Sequence, residues 1–314
     1  MYLSTWHIGL DIHDHHIRAL AATKRRDGWQ LRHCWQLSLA QDALLQDTLL
    51  RERISGERLQ DSERLKPILV QWRNLLPRKI KLRLALPVQQ TLQKQLALPQ
   101  HTTLREPELG WFVHANAEKQ FPATDLALDY RVYGQQICVS ATRQKDLNFW
   151  LDLLAEIGLF PDAVDISPCA LRYVAQFAAI PDDSWLIHKR TTDWLWVAPT
   201  HLPFSYGLLS TQSYPCLTQV INQLPTTPGM ASRIIYCSDE NNSDEKNGYE
   251  QNSDEKNSRE QSFAFSLDQP QIQPEASIHF WHMLSAFRHY QPPLPEATDT
   301  FMIAAGLALR PDDQ

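Results

Sequence analysis

Apolar residues gather into short runs along the first forty positions of the chain. "WHIGLDI", "IRALAAT" and "GWQLRHCWQL" are three such runs, parted by a polar stretch and by the turn signal Asp27-Gly28, and they predict three successive strands. The period then changes. Leu65, Ile68, Leu69, Trp72 and Leu76 fall on one stripe of a 3.6-residue repeat and predict a helix. "KIKLRLALP" follows as a strand that alternates Lys/Arg with Ile/Leu and stops at Pro87, its basic cluster "RKIKLR" read as a face turned to water.

From 88 to 158 the pattern reads strand, helix, two strands, helix. "TLQKQLALP" is the strand, "REPELGWFVHANAEKQF" the helix, and "LALDYRVY" and "QICVSAT" the strand pair around a Gly134-Gln135 turn. "KDLNFWLDLLAEIG" is a helix with Leu147, Trp150, Leu151, Leu154 and Ile157 on one face and Gly158 where a left-handed cap belongs. This unit has the form of an inserted subdomain. A βα alternation resumes with "DAVDIS", where Ser167 is the expected N-cap and Pro168 the first helical residue. "SWLIHKR" and "DWLWVAP" predict a hairpin, followed by a strand near 202–209, a helix near 213–224 and the strand "ASRIIYC". Trp194 and Trp196 share one side of that hairpin and, with Trp185, suit core packing between sheet and helix. "QPPLP" reads as a stiff connector into the last helix. Strands before helices, in two similar halves, predict an α/β protein.

Residues 242–251, "NSDEKNGYEQ", are nearly repeated by 252–261, "NSDEKNSREQ". With almost no apolar content this stretch predicts a disordered surface loop, and the ligand order of a Ca²⁺ loop is absent. A net charge of −6 argues against direct nucleic-acid binding. Five widely spaced cysteines without a Cys-x-x-Cys pair fit a reducing compartment and neither a disulfide framework nor a zinc site. The start "MYLSTWHIGLD" lacks the basic and apolar regions of a signal peptide, and no stretch is long enough to span a bilayer. The expectation is a cytoplasmic protein that meets a membrane only through a partner.

The chemistry concentrates in "GLDIHDHHIRAL". Asp11, His13 and His15 alternate, so an extended segment would place them on one face as metal ligands; yet the Asp and final His of a binuclear His-x-His-x-Asp-His site are missing. A strand ending in Gly-x-Asp before a tight turn is also how actin-like ATPases begin, with the turn's backbone N–H groups on phosphate and the Asp serving Mg²⁺. Small residues are needed there, and His13, Asp14, His15 and His16 stand instead. The favoured reading is a third one, a solvated hairpin that has lost its ligand. No G-x-S-x-G or similar nucleophile context accompanies it.

In order and spacing, "IGLDI", "KLRLALP", "LQKQLALP", "HANAEKQFP", "LALDYRVY", "LDLLAEIGLFPDAVDISPCALRYV" and "FMIAAGLALR" resemble the type IV pilus assembly PilM family. "TLQ" after "LALP", "DWLWVAP" and "QPPLP" shortly before "GLAL" are most similar to its HofM-type branch in DNA-utilisation clusters. The resemblance implies an actin-like α/β fold of the FtsA/PilM type, with two lobes built on five-stranded sheets. It would place the first lobe at 1–87 and 159–180, the inserted subdomain at 88–158, and the second lobe at 181–298 with a disordered loop at 238–262. Residues 299–314 would return to the first lobe as a helix. It further implies an adaptor on the cytoplasmic face of the inner membrane. Such an adaptor captures the N-terminal cytoplasmic peptide of a PilN/HofN-like protein in a groove between first lobe and inserted subdomain.

An ATPase of this fold also needs a Gly-containing hairpin near "SWLIHKRTTDWLWV" and a Gly-Gly turn after "SRIIYC". The first is His188-Lys189-Arg190-Thr191-Thr192, the second Ser238-Asp239-Glu240. A Lys or Arg charge does not replace a backbone cradle. The expectation is therefore no catalytic residue, no resident cofactor, ATP/Mg²⁺ bound weakly or not at all, and degenerate loop positions at Asp11, His13, Asp14, His15, His188, Lys189 and Arg190. The alternatives are an actin-like ATPase of the same machinery, or a metal-dependent hydrolase using Asp11, His13 and His15.

Overall fold

The computed structural model describes residues 4–13, 16–38, 58–98, 104–121, 125–225, 233–239 and 277–312. Strands β1 (Trp6–His13), β2 (His16–Arg25) and β3 (Gly28–Ser38) form an antiparallel meander, turned between β2 and β3 at Arg26-Asp27, one residue before the expected Asp27-Gly28. Helix α1 (Arg58–Leu75) buries Leu65, Leu69 and Trp72, the stripe read from the 3.6-residue period, in one core with the apolar face of β1 and β2. β4 (Ile80–Leu86) lies parallel to β1, and β8 (Pro161–Ile166) lies parallel to β4.

Between them comes a smaller sheet of β5 (Thr91–Ala97), β6 (Leu126–Tyr133) and β7 (Gln136–Arg143), in the order β5-β7-β6. Helix α2 (Glu108–Gln120) covers one of its faces, where Leu96, Val113, Ala117, Ile137 and Val139 make a separate core. The next helix, α3 (Gln144–Glu156), buries Trp150, Leu153 and Leu154 in the first-lobe core with α1. The unit with its own core thus ends near 143 and not at 158, because the apolar face of α3 is used by the first lobe.

Helix α4 (Ser167–Phe177) starts one residue earlier than expected; Ser167 is inside it and Ile166 takes the cap position without a side-chain bond. The second sheet contains β9 (Ser184–Lys189), β10 (Asp193–Val197), β11 (Tyr206–Ser210), β12 (Arg233–Ser238) and β13 (Ser277–Phe280), ordered β11-β10-β9-β12-β13. Helix α5 (Leu217–Ile221) is shorter than the 213–224 expected. Trp185, Trp194 and Trp196 pack with Val220 and Leu224 in the core of this lobe, as their alternation suggested. Residues 240–276, which hold the duplicated decapeptide, lie outside the described residues.

Among the described residues the first sheet has six strands, where five were expected. Its sixth, β14 (His289–Tyr290), comes from far along the chain to pair with β3, and the proline-rich connector leads from there to the last helix. That helix, α6 (Met302–Leu309), is buried at every position, packed on β1, β2 and α4. Two glycines permit this. A Cβ on Gly9 would stand 1.9 Å from the Ala304 carbonyl oxygen, and one on Gly306 1.9 Å from that of Ala170.

Arg83 corrects the reading of the basic cluster. It is 2% exposed rather than wet, and its Nη1 donates to the Leu307 and Ala308 carbonyls at 3.4 and 3.1 Å. Its Nη2 donates to Asp312 at 2.8 Å. A cation thus closes the C-terminus of α6, where carbonyls lack intrahelical partners. Among the described residues no helix is long and apolar enough to cross a membrane.

Candidate functional site

The two lobes meet at a buried group of charged side chains, and several of the loop residues singled out above belong to it. Asp11, near the end of β1, lies within electrostatic reach of Arg18 on β2 and of His188, Arg190 and Asp239 from the second lobe. Arg18 Nη1 donates to Asp239 Oδ2 at 2.9 Å and to the Thr300 carbonyl at 3.1 Å, and His188 Nε2 donates to Asp239 Oδ1 at 2.7 Å. Arg190 Nε donates to Asp193 Oδ1 at 2.7 Å, and Gln89 Nε2 reaches the other oxygen of Asp193 at 3.3 Å. The backbone N–H of Arg190 donates to the Asp193 carbonyl at 2.8 Å and closes the β9–β10 turn.

Lys189 points elsewhere, its ammonium 5.7 Å from the centre of the Trp194 ring. The backbones of His13 and His16 pair across the β1–β2 turn, while their side chains, and Asp14 and His15 altogether, lie outside the described residues. Among the described residues no three His, Cys, Asp or Glu side chains are grouped to hold a metal.

Arg18 and Asp193 are the members that sequence reasoning missed, whereas Asp239 was noted only as part of the turn Ser238-Asp239-Glu240 and not as a partner in this cluster. For Asp239 the signal was present: a carboxylate directly after the apolar strand "RIIYC", at a place where water is scarce. Burial raises the Asp239 carboxyl, but the His188 charge and hydrogen bond, and then Arg18, outweigh it and hold the group below the ordinary carboxylate range. Asp11 differs. Burial, aided by Asp239, pushes its carboxyl up to about 6 against the opposing pull of Arg190, Arg18 and His188.

A raised carboxyl contributes stability below its unfolded value and loses it as pH rises through the folded one. From 3.8 to about 6 this amounts to about 3 kcal/mol. Asp11→Asn is therefore expected to raise the melting temperature at pH 7.5 and to lose that advantage near pH 4. Thermal unfolding at the two pH values checks this, and a variant less stable at pH 7.5 contradicts it.

A second feature lies at the edge of the first lobe. A cavity of about 470 Å³ is lined by β6 and β7 on the subdomain side, by Val164, Asp165 and Ile166 of β8, and by Phe204 and Arg310. The alternation in "LALDYRVY" and "QICVSATR" explains its surface. Leu128, Tyr130, Val139 and Ala141 face the α2 core, so Ala127, Asp129, Arg131, Cys138, Ser140 and Thr142 face the cavity. β6 and β8 are edge strands of their sheets, and both line the cavity.

Asp165 forms a fixed polar post. It accepts from Tyr173 Oη at 2.8 Å, Arg310 Nε at 3.1 Å and the Ile166 N–H at 2.9 Å. Burial and then the Asp165 charge raise the Tyr173 hydroxyl and the Cys169 thiol, so both stay protonated. The arrangement offers backbone edges and apolar steps to an extended chain. A groove between first lobe and inserted subdomain was expected only through the family resemblance, and no lining residue was named because polar alternation in a strand looks the same against water and against a cleft.

The sequence model of the type IV pilus assembly protein PilM family matches residues 9–184, more than half of the chain. The chain is 24% identical over 200 residues to the DNA utilization protein HofM of Escherichia coli (strain K12), covering 62% of this chain and 73% of that protein. In structure it is similar to a chain of the PilM-PilN type IV pilus biogenesis complex, with a TM-score of 0.62, 15% identity and 98% of both chains covered. It is also similar to the cytoplasmic domain of EpsL, an inner membrane component of the type II secretion system of Vibrio cholerae. There the TM-score is 0.55 at 10% identity, over 96% of this chain and 94% of that one. The likeness runs through both lobes and the inserted sheet, the α/β actin-like architecture anticipated above. The chain belongs to the PilM family of type IV pilus assembly proteins.

Proposed function

We propose that this protein is a docking platform of a type IV pilus-like or DNA-uptake apparatus. It holds the N-terminal cytoplasmic peptide of a PilN/HofN-like inner-membrane protein, sits on the cytoplasmic face of the inner membrane through that partner, and turns over no ATP. The observation that carries the reading is the groove of about 470 Å³, in which two edge strands, β6 and β8, line one cavity. Among the described residues no strand pairs with the outer edge of either, and an extended peptide can add to such an edge through main-chain hydrogen bonds. The PilM-PilN complex among its structural relatives supports a partner of this kind.

The charge cluster supports the nucleotide half of the proposal. A triphosphate needs small residues and unspent donors. This inter-lobe site instead holds Asp11, Asp193 and Asp239, all buried or nearly so, with Arg18 and Arg190 already paired to carboxylates. A carboxylate could serve Mg²⁺, but Arg18 and Arg190 are each engaged by a buried carboxylate, which places negative charge where a triphosphate would need cations.

Calorimetric titration with a synthetic peptide of the partner's cytoplasmic N-terminus is expected to give one site of micromolar affinity. Ala127→Trp, which fills the groove from an edge strand, is expected to weaken binding more than tenfold with the melting temperature unchanged. No binding by the wild type at several hundred micromolar peptide sinks the docking reading. Micromolar binding of ATP with Mg²⁺ sinks the nucleotide half.

A further inference from the structure

Among the described residues lining the groove, Phe204 alone comes from the second lobe. It is buried, and the guanidinium carbons of Arg131 on β6 and Arg172 on α4 lie 4.9 and 4.6 Å from its ring centre. Gln93 Nε2 donates to its carbonyl at 2.6 Å, and the Tyr206 and Thr91 hydroxyls are 3.3 Å apart. Arg172 Nη2 donates to the Ala198 and Pro199 carbonyls at 2.8 and 3.1 Å. The segment from 198 to 206 therefore bridges first lobe, inserted subdomain and second lobe at the groove wall.

That segment is the connection between β10 and β11, whose ladder runs from Asp193 opposite Ser210 to Val197 opposite Tyr206. At about 3.3 Å per residue the far end lies roughly 13 Å from Asp193. Asp193 is the residue that Arg190 and Gln89 hold at the inter-lobe cluster, and β9, next to β10, carries His188 to Asp239 and so to Arg18. One stiff pair of strands thus ends in the charge cluster on one side and in the groove wall on the other.

We infer that Phe204 is a specificity-determining wall residue of the groove, and that the inter-lobe ion pairs set how firmly that wall is held. The two states are a cluster fully paired, with Phe204 seated under Arg131 and Arg172, and a cluster broken, with the β10–β11 end loosened. The continuous apolar core that includes α4, α6, Leu195 and Val197 limits the change to loosening rather than lobe separation. By linkage, an occupant that touches Phe204 stabilises the ion pairs by the same free energy with which the ion pairs stabilise the occupant.

The docking arm of the test rests on the function proposed above, whereas the exchange arm needs no peptide. Amide hydrogen exchange is followed in the wild type, Asp239→Asn and Gln89→Ala, the last a mild change that removes one bond across the junction. Faster exchange at 126–133 and 204–206, with α1 and α3 unchanged, is the expected result. Peptide affinity is expected to fall five- to twentyfold in Asp239→Asn and in Phe204→Leu. Wild-type exchange rates at the groove in both cluster variants overturn the coupling, as does peptide affinity within twofold of wild type in folded Asp239→Asn. Peptide affinity within twofold of wild type in Phe204→Leu overturns the wall-residue assignment. Should the wild type bind no peptide, the docking reading fails while the exchange result still decides the coupling.

Discussion

Gly306→Ala is expected to destabilise the protein by more than about 3 kcal/mol, read as a melting temperature roughly 10 °C lower or as insoluble expression. The added methyl would stand 1.9 Å from the Ala170 carbonyl oxygen and 2.4 Å from its carbon, and backbone atoms inside a helix cannot swing aside as a side-chain tip can. Relief requires α6 and α4 to separate, which loosens an apolar cluster running from Leu20 through Ala170 to Leu309. Gly9→Ala is expected to act alike from the opposite face, against the Ala304 oxygen at 1.9 Å and the Ala308 nitrogen at 2.7 Å. Thermal melts of both variants check this, and a loss of under 2 °C in either contradicts it. The glycine in "IGLD" invited a phosphate-loop reading, yet the packing it serves is that of α6.

Asp239→Ala is the second large effect, expected at about 3–5 kcal/mol. The carboxylate is the shared acceptor of Arg18 and His188, and its removal leaves the Arg18 guanidinium, 9% exposed, facing Asp11 and the Thr300 carbonyl without its ion-pair partner. The loss has a pH signature. Asp239 has its carboxyl depressed in the fold, so its contribution is present above the ordinary carboxylate value and fades as pH falls through the folded one. The gap between wild type and Asp239→Ala is therefore expected to be wide at pH 7 and to narrow in strongly acidic solution. Paired denaturation curves test this, and equal stabilities at pH 7 contradict it.

Local features carried most of what could be read from the chain. The turn before Gly28, the α1 stripe of Leu65, Leu69 and Trp72 and the Gly134-Gln135 hairpin are decided by neighbours within a few residues, and they stand within a residue of where the pattern put them. What depends on distant partners was not legible. Arg83 looked solvated because its acceptors, Leu307, Ala308 and Asp312, lie more than two hundred residues away. The α3 stripe was read correctly as apolar but assigned to the wrong neighbour, since a helical face does not say which core will cover it. β14 is only two residues long, too short for any period to mark.

The site divides the same way. Asp11, His188 and Arg190 were recognised from their places at strand ends, and they do meet between the lobes. Their use there, with Asp193 and Asp239 as partners, required contacts the chain does not advertise. Phe204 and Asp165 became visible only as the cavity they line was formed.

The central claim is that this member of the PilM family docks a peptide in the β6–β8 groove without help from nucleotide. One titration tests it: the partner's cytoplasmic N-terminal peptide into wild-type protein, run with and without ATP and Mg²⁺. Equal micromolar affinity in both solutions, lost in Ala127→Trp, is the predicted result. Peptide binding that appears only when nucleotide is present, or that survives Ala127→Trp unchanged, would contradict it.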